Sequence, residues 1–98
     1  VVLDVKERMR DLATARELVV RTRSLRLAAA ENLRTLQAEK EVRTRLTPEF
    51  LALEFQRQTG LASAQEQEIA ALADAERALA AFHRSIGRGP GGEVLVLE

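Results

Sequence analysis

Apolar and small residues recur along the first half of the chain at Val2, Val5, Met9, Leu12, Ala15, Val19, Thr22, Leu25, Ala29, Leu33 and Leu36. The steps alternate between three and four, a helical seam close to the coiled-coil period. Charged residues such as Arg8, Arg10, Glu17, Arg21, Glu31, Arg34 and Glu39 fill the other faces. From Val2 to Arg45 there is no Gly and no Pro. The pattern predicts one helix over about 2–45, reaching roughly 65 Å at 1.5 Å per residue. A helix of that length needs a partner along it. The second half repeats the pattern at Leu51, Phe55, Gln58, Ala62, Gln65, Ile69, Leu72, Leu79, Phe82 and Ile86, with Ala75 filling the gap. It predicts a second helix over about 48–86.

The strong punctuation between the two is Arg45-Leu46-Thr47-Pro48. A threonine hydroxyl can accept from the free amides of the turn that follows it. Proline at the next position loses nothing by lacking an N–H. Leu46 and Leu51 have the spacing of a hydrophobic staple. The apex of a hairpin is therefore expected at 45–47. With the apex between residues 45 and 46, facing numbers sum to about 92. That sets Ala28–Ala30 opposite Ala62–Ala64 and Leu33 near Gly60, where small residues would let the axes approach closely. The expected fold is all-α: residues 1–87 form a long antiparallel two-helix coiled-coil hairpin. Gly87 and Gly89-Pro90-Gly91-Gly92 would stop the second helix. Residues 88–98 are a Gly-rich stop and tail, whose Glu93–Glu98 stretch is strand-like. A second apolar set, Leu3, Leu18, Val20, Leu27 and Val42, lies off the seam. It asks for neighbours beyond the hairpin partner, in a four-helix bundle or a larger α-barrel.

Composition adds helix-favouring Ala, Leu, Glu, Gln and Arg, and only three aromatic residues, all Phe. Net charge is zero overall, but residues 1–45 carry eleven basic against seven acidic residues, and residues 46–98 four against eight. Arms of opposite sign suit each other side by side, though each exposed ion pair contributes only about 0.2–1 kcal/mol. The absence of Cys excludes disulfide and thiol chemistry. No apolar run approaches the ~20 residues of a membrane-spanning helix. The chain starts at Val1 rather than Met and is expected to be part of a longer protein, with Leu97-Glu98 an added remnant.

Candidate chemistry is sparse. His83 has no second His or Cys to share a metal with, so it reads as a helix residue near the C-terminal dipole. Glu66 and Glu68 are two apart and cannot share a helix face. Gly87–Gly92 follows a helix and precedes none, unlike a phosphate loop. Arg16, Arg21, Arg23 and Arg26 have no interleaved aromatic for stacking on bases, so a basic hairpin that binds nucleic acid is the weakest reading. No catalytic residue, metal site or cofactor is expected.

Two stretches carry a resemblance. Arg45-Leu46-Thr47 with Phe50, Leu53 and Gln56 is similar to the periplasmic hairpin tip of TolC-like outer-membrane efflux proteins, commonly Gly-Leu-Thr or Gly-Leu-Ser, an apolar pair, then Ala-Gln. Ala70–Gly87, with Ala71-Leu72-Ala73-Asp74 and Ala78-Leu79, resembles the segment that closes that hairpin. Asp4-Val5, Leu12–Arg16 and Ala30–Leu33 look like its preceding helix. Arg45 stands where the family commonly has Gly, Pro48 where Thr is frequent, and Ala75 where Tyr is usual. The resemblance covers about 87 residues. It implies a tunnel-forming hairpin of a channel at the cell outer membrane, on its periplasmic side. Partners would be a periplasmic adaptor (membrane fusion) protein, which would meet the tip at Arg45, Leu46 and Thr47, and an inner-membrane pump. The full-length protein would be a trimer, and this segment alone a dimer. The alternative is a coiled-coil scaffold or interaction module unrelated to efflux.

Overall fold

A computed structural model describes residues 2–87. It contains two helices, α1 (Val2–Val42) and α2 (Pro48–Gly87), with no strand among the described residues. They pack against each other as an antiparallel hairpin, the fold the periodicity calls for. α1 runs unbroken through Ala28–Ala30. The expected stop at 89–92 and the strand-like tail lie outside the described residues.

α1 ends at Val42 rather than at 45. The Arg43 amide donates to the Lys40 carbonyl (3.3 Å), tightening the last turn. The Arg43 guanidinium then sits 4.3 Å from the centroid of the Phe50 ring. The helix thus ends where Arg43 lies across the loop on the α2 ring. α2 starts as the cap signal requires. The Phe50 amide donates to Thr47 Oγ1 (3.1 Å), and the Leu51 amide donates to the Thr47 carbonyl (3.1 Å). Thr47 thereby satisfies an amide that the helix start would leave unpaired.

The described residues divide into two compact units, 21–69 around the tip and 2–20 with 70–87. In the tip unit, the shielded positions of α1 include Thr22, Arg26, Ala29, Leu33, Leu36 and Lys40, in three- and four-residue steps. Those of α2 include Phe50, Glu54, Leu61, Ala64 and Glu68. Leu36, Phe50 and Ala64 are the buried apolar residues here. In the other unit, Val5, Leu12, Ala15 and Val19 of α1 and Ala71, Ala75, Ala78 and Phe82 of α2 are shielded, and Ala71 is 2 % exposed.

This changes the phase read for the first part of α2. Leu51, Phe55, Gln58, Ala62, Gln65, Ile69 and Leu72, expected to form the hairpin seam, are exposed. The packed row is displaced by one residue, through Phe50, Glu54, Leu61, Ala64 and Glu68. The reason is that two carboxylates occupy it. Glu68 takes Arg26 Nε at 2.6 Å and Arg23 Nε at 3.5 Å, and Glu54 takes Lys40 Nζ at 3.0 Å. A row containing Glu scores poorly as apolar, yet these Glu side chains are only 13 % and 12 % exposed. On α1, Arg26 takes the seam position that the pattern assigned to Leu25, which is exposed.

The pairs also set the register. Arg26 with Glu68 and Lys40 with Glu54 make facing numbers sum to 94, against the expected 92. The two pairs lie two heptads apart on both helices, so a shift by one heptad would strand a charge. That is the use of polar seam residues in coiled coils. The expected small-residue level is only partly realised. Ala29, Ala30 and Ala64 are shielded, while Ala28, Ala62 and Ser63 are exposed. Gly60 is not explained by close packing: a Cβ there would meet nothing within 4 Å.

Candidate functional site at the hairpin tip

The tip is the loop 43–47 between α1 and α2. Three residues hold it. Arg43 lies over Phe50 and approaches Glu39 Oε1 at 3.5 Å. Phe50, 5 % exposed, is the buried anchor beneath it. Thr47 caps α2 with its hydroxyl. A guanidinium over a ring face is attracted by the ring quadrupole, by about 0.5–1 kcal/mol at exposed sites. Arg45 and Leu46 project from this frame, both exposed.

Of the three expected tip residues, Arg45 and Leu46 are therefore presented to solvent. Thr47 is half-buried and its oxygen is occupied by the cap. Leu46 and Leu51 are each exposed by nearly half, so a staple between them would leave much of both in water. Arg43 and Phe50 are the tip residues that spacing did not single out as a pair. The available signal was a cation and an aromatic flanking a capped turn.

Chemistry elsewhere is thin. Among the described residues no three or more His, Cys, Asp or Glu side chains converge as a metal site would need. His83 is exposed, its ring 6.1 Å from that of Phe82. In the basic group, Arg23 and Arg26 are both directed at Glu68, which leaves less of that charge for phosphates. Arg34 donates two hydrogen bonds to Glu31 one turn earlier. First by those bonds and then by its charge, it holds the exposed Glu31 carboxyl below the usual carboxylate range. A groove of about 490 Å³ is lined by Met9, Leu12, Ala13, Arg16 and Phe82, and one of about 370 Å³ by Ala29, Asn32, Gln56, Arg57 and Gly60. Both are open furrows and neither gathers a reactive set. No described helix is long and apolar enough to cross a membrane. Comparison with protein-family models, with curated proteins and with solved structures gives no match.

Proposed function

We propose that this chain is a tunnel-forming hairpin of a TolC-like outer-membrane efflux or secretion channel. In that reading it lies on the periplasmic side, and its tip docks a periplasmic adaptor that connects to an inner-membrane pump. The role is structural and not enzymatic. The observation that carries it is the tip: an exposed Leu46 and Arg45 on a short loop fixed by the Arg43–Phe50 stack and the Thr47 cap. A preformed apolar knob beside a five-donor cation loses little freedom on binding. Its partner would be an acidic or carbonyl-rich tip. Exposed apolar side chains on α1, such as Val20, Leu27 and Val42, support lateral neighbours of the kind a tunnel supplies.

The test is made in the full-length protein. Leu46→Ser combined with Arg45→Glu should abolish export while leaving protein level and helix content unchanged, since both residues are exposed. Leu46→Cys should cross-link to the adaptor. Full export by the double variant at normal expression, without cross-linking, would remove the tip from adaptor docking.

One observation favours a second reading, a coiled-coil module unrelated to efflux. The two ion pairs in the seam fix a hairpin register without help from neighbouring hairpins. In that case both tip substitutions would leave export untouched, and the chain would act through its helix faces.

A further inference from the structure

The row Leu51, Phe55, Gln58, Ala62, Gln65, Ile69 runs along α2 with steps of four and three, the spacing of a coiled-coil seam. It is not the hairpin seam, and every residue in it is exposed, Phe55 by 70 % and Ile69 by 65 %. None of the six carries a charge, although α2 has charges on either side at Glu54, Arg57, Glu66 and Glu68. A solvated helix face normally gathers the charges and not the largest apolar side chains.

We infer that this row is a dimer seam, on which α2 of a second copy of this chain packs antiparallel about a two-fold axis near Ala62. The row is its own complement. Reversed about Ala62, Phe55 falls opposite Ile69 of the second copy and Gln58 within one residue of Gln65. A two-fold interface requires such a self-matching patch. Bulky apolar residues then cover bulky ones at both ends, with Ala62 meeting small volume at the centre. The paired glutamines each bring donors and an acceptor, so they can satisfy one another and select this register. The antiparallel sense also opposes the two helix dipoles. The exposed apolar residues of α1 are less suited to be the seam, because the row of Val20 and Leu27 includes Arg16 and Arg23. Two hairpins joined through α2 make a four-helix bundle. This inference does not depend on the efflux reading.

Sedimentation equilibrium of the 98-residue chain tests it, run across about 5–100 μM because association is concentration-dependent. The expected mass is twice the 10.9 kDa of one chain. Phe55→Glu with Ile69→Glu should weaken the dimer at least about a hundredfold, as removal of two bulky apolar anchors does, and keep the helical circular dichroism. Val20→Glu with Leu27→Glu should leave the dimer intact. Ala62→Cys, a small change at the proposed axis, should oxidise to a disulfide-linked dimer. A monomer at the top of the range would overturn the inference, as would an assembly other than a dimer. So would a dimer that survives the α2 variant or is lost in the α1 variant, or Ala62→Cys chains that fail to link.

Discussion

Glu68 shows how one side chain governs this hairpin. Its carboxylate is 13 % exposed and takes Arg26 at 2.6 Å, with Arg23 at 3.5 Å. A charge so placed is tolerable only while its partners remain, since an uncompensated charge out of water is expensive. Gly60 is the opposite case, a residue whose structural reason is missing. It sits within α2, is exposed, and a Cβ there would touch nothing within 4 Å. Gly60→Ala should therefore stabilise the chain by about 0.5–1 kcal/mol, through better helix propensity and a less free unfolded chain. Urea denaturation with an unchanged slope measures this. A loss of stability would mean that something packs closely at Gly60.

At the scale of the elements, the seam is a mixture of apolar side chains and two repeated ion pairs. Lys40 with Glu54 is the simpler pair to dissect. Glu54→Leu alone leaves the Lys40 ammonium, 38 % exposed, facing a leucine, and should cost about 1–2 kcal/mol, reduced by that exposure. Adding Lys40→Leu should recover the loss or exceed it, because apolar replacement of a buried pair is often neutral or better. Thermal unfolding of the wild type, the single and the double variant reads both steps. If the double variant is less stable than the single one, the pair does not act as described. These pairs also explain what was legible in the sequence. The α1 seam was readable because its inward positions from Val5 to Leu36 are mostly apolar. The start of α2 was readable because Thr47-Pro48 is a local signal. The phase of α2 between Leu51 and Leu72 was not. Apolar spacing singled out Leu51, Phe55 and Ile69, while Glu54 and Glu68 sit on the packed row and derive their place from cations on the other helix. A carboxylate whose partner is 42 residues away leaves no trace in local periodicity. At the tip, the exposed Arg45 and Leu46 were legible as turn residues, but the Arg43 stack over Phe50 was not, because it forms only across the loop.

For the whole molecule, the consequence of the shifted phase is an α2 with two rows of coiled-coil spacing. One is used by α1, and the other, through Phe55 and Ile69, is exposed. The exposed row is the one proposed to pack on a second copy. The shifted phase of α2, and with it the exposed second row, depends on Glu68 being on the packed row and facing Arg26. A double-mutant cycle of Arg26→Ala and Glu68→Ala, by chemical denaturation at fixed protein concentration, tests that most directly. The account predicts that the two substitutions are coupled by about 1 kcal/mol or more, because contacting residues do not add. Additive effects within about 0.3 kcal/mol, with Glu68→Ala itself nearly neutral as a surface substitution would be, would contradict it.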